Sequence, residues 1–197
     1  MSYKTTRDCI VEAADKLFYQ RGYEHTSFAD IADAVKISRG NFYHHFKTKD
    51  EILEAVIALR IIHTRKMLEQ WEAEGTTPAE RIRCFIRILI ANRAKIMLYG
   101  CPVGSLTTEL AKLDHASQDQ ANKLFTLFRT WLRKQFNLLG REDADALAMH
   151  LLARSQGVAT LANAFRDKAF IEWEAMQMCN WLDANTKGTG ALRTQQP

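Results

Sequence analysis

The stretch "TSFADIADAVKISRGNFYHHFKTKDEIL", residues 26–53, holds two short helical patterns and the start of a longer one. Phe28, Ile31, Ala32 and Val35 recur at the spacing of one helix face. Thr26 or Ser27 can cap that helix, and Asp30 three residues after Ser27 completes a capping-box pattern. "KIS" (36–38) is a three-residue turn, and a further helix runs from about Ser38 to Phe46. Phe42 and Phe46 are its apolar pins; Arg39, Gly40, Asn41, Tyr43, His44 and His45 fill the remaining positions. Thr48 followed by Glu51 then opens a long helix toward Trp71.

Two short helices joined by a tight turn, with another packed across them, form the helix-turn-helix plan. The packing helix precedes the stretch, where Ile10, Ala13, Ala14, Leu17 and Phe18 make a stripe that Gly22 ends. From Lys36 to Lys49 the chain carries Lys36, Arg39, Lys47 and Lys49 and no Asp or Glu, although Asp33 and Asp50 lie just outside. Duplex DNA requires cations for its phosphates and hydrogen-bonding groups for its base edges. A helix-turn-helix reads bases with the first residues of its second helix, here Arg39, Gly40 and Asn41. Gly40 lets the backbone come close to a partner.

Beyond residue 48 the periodicity stays helical, which makes the chain all-α with about nine helices. Thr77, Pro78 and Glu80 start a helix whose stripe is Ile82, Phe85, Ile86, Leu89 and Ile90. "YGCPVGS" (99–105) interrupts it, and helices follow from about Leu106 to Leu113, Ser117 to Leu139, Ala144 to Phe165 and Phe170 to Leu182. The expected division is a head over 1–48, a body over 49–184 and a disordered polar tail over 185–197.

Composition narrows the function classes. With 197 residues, 47% of them apolar, 25% charged and a net charge of +4, this is the make-up of a folded, mildly basic protein. No apolar run approaches the roughly 18 residues of a membrane span. Asp8, Glu12 and Asp15 interrupt any secretory signal, so a cytoplasmic location without a membrane partner is expected. Cys9, Cys84, Cys101 and Cys179 are too widely spaced for a zinc site. No histidine follows a glutamate by three residues, and HExxH, phosphate-loop and GxSxG motifs are absent, so neither a catalytic residue, a metal nor a cofactor is expected.

The pattern formed by the glycine after helix one, the Thr-Ser opening of helix two, "SRGNFYHHF" and "KTKDEIL" closely resembles the DNA-binding signature of TetR-family transcriptional regulators. The resemblance implies DNA contacts from Thr26, Ser27, Lys36, Arg39, Gly40, Asn41, Tyr43, His44, His45 and Lys49. It also implies a homodimer on a near-palindromic double-stranded operator, repression, and release by a small-molecule effector held inside the body. The two C-terminal helices, whose apolar surface exceeds the needs of one monomer, are the expected dimer face. Phe85, Leu89, Tyr99, Cys101, Leu106, Phe128, Trp131 and Met149 are the candidate effector contacts; each also fits an ordinary core position. The Gly-Cys element at 100–101 is similar to one in several branches of the family, including an electrophile-responsive one. If Cys101 caps a helix beginning at Pro102, its thiol faces free backbone N–H groups and is placed to react; if Ser105 is the cap, Cys101 is a small buried hydrophobe. The alternative to a ligand-responsive repressor is an adaptor whose helix-turn-helix binds protein, a reading that leaves the acid-free segment unexplained.

Overall fold

The computed structural model describes residues 4–186, and within them the chain is entirely helical apart from its turns. The helices are α1 (Thr6–Arg21), α2 (Phe28–Val35), α3 (Arg39–His45), α4 (Lys49–Glu74), α5 (Pro78–Ala91), α6 (Arg93–Tyr99), α7 (Pro102–Lys112), α8 (Gln118–Leu138), α9 (Ala144–Phe165) and α10 (Lys168–Thr186). Among the described residues no helix is long and apolar enough to cross a membrane.

Three departures from the expected helix bounds have local causes. The helix read as continuous from Thr77 to Tyr99 divides at Asn92, whose side-chain amide donates to the Ile88 carbonyl (3.1 Å) and competes with the ladder. The helix expected from Leu106 begins four residues earlier, at Pro102, because proline suits a first turn whose N–H groups have no helical partner. At the other end, α10 continues through Asn185 and Thr186, where the tail was expected to start. Arg141 donates to the Asn185 carbonyl (2.8 Å) and secures that last turn. The rest of the expected tail, 187–197, lies outside the described residues.

The described residues pack as two units, 4–64 with 102–125 and 65–101 with 126–186. In the first, Ile10, Ala14 and Phe18 of α1 meet Ile31 of α2, Phe42 of α3, and Ile52, Leu53 and Val56 of α4. Leu106, Leu110 and Ala121 complete the same core from much later in the sequence. Arg60 of α4, its side chain only 10% exposed, donates to the Asp15 carboxylate and to the Pro102 carbonyl, both at 2.6 Å. A guanidinium buried this far requires such partners, and here they come from α1 and α7.

In the second unit α10 lies against α5 and α9, and α6 against α9. Ile82, Ile86, Leu147, Leu151, Met178 and Leu182 are buried there. Ala148, Ser155, Ala159 and Ala162 form the buried stripe of α9, and small side chains let neighbouring axes approach closely. Asn163 donates to the Met97 carbonyl (3.0 Å), and Arg154 pairs with Glu174 (2.9 Å).

Candidate functional site

The head is fixed by caps as well as by its core. The Ser27 hydroxyl accepts the Asp30 N–H (3.2 Å) and the Asp30 carboxylate accepts the Ser27 N–H (2.8 Å). The Ser27 hydroxyl also donates to that carboxylate, and this bond first, with the one from the Ser27 N–H second, holds the Asp30 carboxyl below the usual carboxylate range. Lys36 ends α2 in the left-handed region (φ 59°, ψ 44°), and the Ile37 N–H reaches back to the Ala32 carbonyl (3.2 Å). Ser38 restarts the helix by accepting the Asn41 N–H (3.3 Å).

On α3 only Phe42 is buried. Its ring meets Phe28 edge-on at 5.2 Å, and Phe46, also buried, lies beneath the Arg7 guanidinium at 4.4 Å. Arg39, Gly40, Asn41, Tyr43 and His44 consequently face outward, with Lys36 exposed beside them and His45 half-buried. The Tyr43 ring leans on Phe28 (5.5 Å), and the Lys47 ammonium donates to the Tyr43 carbonyl. A Cβ added at Gly40 would meet nothing within 4 Å, so the head's own packing does not require a glycine there. Close approach by something outside the head gives that glycine a use.

Two expected contact residues are placed otherwise. Thr26 is 1% exposed and its hydroxyl donates to the Gly22 carbonyl (2.7 Å), so the side chain is spent inside the turn before α2. The Lys49 ammonium sits 4.2 Å from the centre of the Tyr23 ring and donates to the Tyr23 carbonyl (3.1 Å), which leaves it half-buried. Glu51 also departs from its simple reading. Its N–H donates to the Thr48 hydroxyl (3.1 Å), but its carboxylate accepts from the Lys47 N–H (2.8 Å) instead of closing on the cap.

The turn before α2 is held by a residue that no local pattern reveals. Both oxygens of Glu109, on α7, are engaged: one accepts the Tyr23 N–H and the other the Glu24 N–H, each at 2.9 Å. Gly22 has φ 90° and ψ 160°, a conformation open essentially to glycine alone, and a Cβ there would stand 2.8 Å from Glu109 Oε1. Beside this latch the Tyr23 hydroxyl donates to Asp50, and His115 Nε2 lies 3.3 Å from that hydroxyl and 3.5 Å from Asp50 Oδ1. His115 Nδ1 accepts the Ser117 N–H (3.0 Å), so Nε2 carries the hydrogen of the neutral ring. The bond from Tyr23 holds the Asp50 carboxyl below its ordinary range, while burial, aided by that bond, pushes the Tyr23 phenol upward. Glu109→Gln keeps the shape but turns an amide NH2 toward one of the two N–H groups. It should lower the unfolding free energy by about 1–3 kcal/mol in urea titrations. A change of only a few tenths would mean that the latch does not hold the turn.

The candidate effector residues do not all gather in one place. Phe85 and Phe128 meet at 5.7 Å, Trp131 lies one turn beyond Phe128 on α8, and its ring is 5.6 Å from Trp71. Leu89, one turn after Phe85 on α5, is buried too. Tyr99 and Cys101 are half-buried around the break after α6, where Gly100 takes φ 77° and ψ −163°. Because α7 begins at Pro102, Cys101 and not Ser105 immediately precedes its first turn. Leu106 belongs to the core of the first unit, and Met149 is 41% exposed on α9, so neither joins the aromatic group. Trp71 and Gln135, absent from the sequence expectation, do belong with it. Gln135 follows Trp131 by one turn, is fully buried, and lies beside Glu72. Cys9, Cys84 and Cys179 are each half-buried.

Residues 10–56 match the profile of "Bacterial regulatory proteins, tetR family". The chain is 44% identical over 163 residues to the HTH-type transcriptional regulator TtgR of Pseudomonas putida, covering 78% of each chain. It is 28% identical over 175 residues to an HTH-type transcriptional regulator in the lacX 3' region of Lactococcus lactis, covering 86% of this chain and 89% of the relative. A TetR transcriptional regulator from Legionella pneumophila, solved by crystallography, superposes with a TM-score of 0.81 over 94% of this chain and 99% of its own, at 24% identity. The capped α2–turn–α3 head and the extent of these matches lead to one assignment: the chain belongs to the tetR family of bacterial regulatory proteins and is a transcriptional regulator with a DNA-binding helix-turn-helix.

Proposed function

We propose that the protein is a dimeric repressor that occupies a near-palindromic operator and leaves it when a small molecule binds the body. The observation that carries this reading is the outward face of α3. Arg39, Gly40, Asn41, Tyr43 and His44 are exposed on a helix seated by Phe42, in a segment without an acid. Arg39 and Asn41 read base edges; Lys36, Tyr43, His44 and Lys47 hold phosphates; Ser27 adds a contact at the start of α2. His45 and Lys49, being half-buried, contribute at the margin, and Thr26 contributes through its backbone alone.

Pairing of two copies through α9 and α10 is favoured by the large apolar side chains these helices expose. Phe165 is 75% exposed, Trp173 54%, Met176 51% and Leu161 45%, more apolar surface than a lone chain would leave in water. A dimer places two heads on successive major grooves about 34–36 Å apart. α4 contributes residues to both packing units, and its displacement by an effector among Phe85, Phe128 and Trp131 would change that spacing. Electrophilic modification of Cys101, which stands directly before α7, is a second trigger. Cys101→Ser would abolish release by an electrophile while leaving release by a neutral effector in place.

The test is footprinting on the DNA upstream of the protein's own gene, combined with sedimentation of the free protein. Two protected half-sites, one helical turn apart, and a dimer are expected. A monomer that protects no DNA would leave the adaptor reading standing in place of the repressor.

A further inference from the structure

Two buried side-chain polar atoms among the described residues have no hydrogen-bond partner, and both lie on one face of α8: Gln135 Oε1 and Trp131 Nε1. Gln135 is 0% exposed and Trp131 7%. Leaving an amide acceptor unpaired in such a place is costly, so chains seldom keep one without a use for it. The orientation of the amide is not arbitrary. Gln135 Nε2 points to Glu72 Oε1 (3.4 Å), the same oxygen that takes the Lys134 ammonium at 2.8 Å. Turning the amide round would set its oxygen against the carboxylate, so Oε1 is left on the other side. The Trp131 indole N–H also leans toward Glu72 without reaching hydrogen-bond geometry. Lys134 first, and that indole more weakly, hold the Glu72 carboxyl below its usual range.

Acceptor and donor are one helical turn apart, the separation at which side chains on a helix are neighbours. A hydroxyl has one hydrogen to donate and lone pairs to accept, so it complements an orphan acceptor and an orphan donor alike. The surroundings specify what carries that hydroxyl. Trp71 and Trp131 pair at 5.6 Å and Phe85 and Phe128 at 5.7 Å, all four no more than 9% exposed. Planar apolar surface is what such rings accept. The Glu72 carboxylate and the Gln135 oxygen together repel an anion.

We infer that this end of the second unit binds an uncharged, planar aromatic molecule through a ring hydroxyl, which donates to Gln135 Oε1 and accepts from Trp131 Nε1–H. The inference rests on the effector-responsive reading above and narrows it to a chemical class.

The test uses three naphthalene probes on the full-length protein, titrated by calorimetry: 2-naphthol, 2-methoxynaphthalene and naphthalene-2-carboxylate. They share a ring system and differ in the hydrogen and the charge. 2-Naphthol should bind at least about tenfold tighter than the methoxy compound, the size of one buried hydrogen bond, and the carboxylate should bind worst. Gln135→Leu should erase the advantage of naphthol while leaving the methoxy compound's affinity unchanged or improved. Trp131→Phe, which keeps a ring but removes the N–H, should reduce the advantage and serves as the second variant if Gln135→Leu does not fold. Equal binding of naphthol and its methyl ether by the wild type overturns the inference, as does a preference that survives both substitutions. Binding of neither probe, with the operator footprint intact, also overturns it and leaves the two atoms to water. Loss of the footprint itself would count against the repressor reading instead, so the two failures are distinguishable.

Discussion

Phe42→Ala is expected to lower the unfolding free energy by about 3–5 kcal/mol, the usual cost of truncating a fully buried aromatic side chain. The reason lies in how little else seats α3. The helix has seven residues, and Phe42 is the only one of them that is buried. A helix that short does not persist in water on its own propensity, since nucleation costs more than a single turn returns. Phe42 reaches the core at 1% exposure and stacks edge-on with Phe28, so its removal takes away both transfer energy and an aromatic pair. Urea unfolding of the variant, with Phe42→Leu as a milder companion, measures the effect. A loss below about 1 kcal/mol would mean that α3 is held chiefly by its caps. The same variant should bind operator poorly because the reading helix has lost its seat.

Arg39→Ala should do the reverse, leaving unfolding within about 0.5 kcal/mol of the wild type while weakening operator binding strongly. Arg39 is exposed at the first position of α3, where a guanidinium can take both acceptors on the edge of a guanine. Such a contact is worth about 1–3 kcal/mol, and a symmetric dimer makes it twice, so the affinity should fall at least roughly thirtyfold. Specificity should relax at one base position in each half-site, whereas Lys47→Ala should weaken all sequences alike and flatten the salt dependence. An Arg39→Ala protein with an unchanged footprint would remove α3 from the reading role.

What could be read from the sequence was local. Ser27 with Asp30 and Thr77 with Glu80 are reciprocal caps within four residues, and both form as their spacing predicts. Phe42 and Phe46 declare themselves as pins because their helix offers no other apolar side chain. Thr26 misled because a hydroxyl ahead of a helix can serve a turn as well as a surface, and the choice depended on where the Gly22 carbonyl lay. Glu109 was invisible for a stronger reason: a glutamate on an amphipathic helix looks solvated until the backbone it binds, at Tyr23 and Glu24, is brought to it. Gln135 was hidden in the same way, since only the fold reveals that its oxygen has no partner. Leu106 fits a helical stripe equally well in either packing unit, and periodicity does not say which core a stripe joins.

The late arrival of residues 102–125 in the first unit has a practical consequence for anyone recombining regulators of this kind. A chimera cut after the helix-turn-helix, or even after Thr64, would strip Leu106, Leu110 and Ala121 from the core and the Glu109 carboxylate from the turn it braces. Residues 102–125 and the reading head would then have to be transplanted together, in two pieces of chain. A transplanted head is expected to keep its operator preference only when residues 102–125 travel with it.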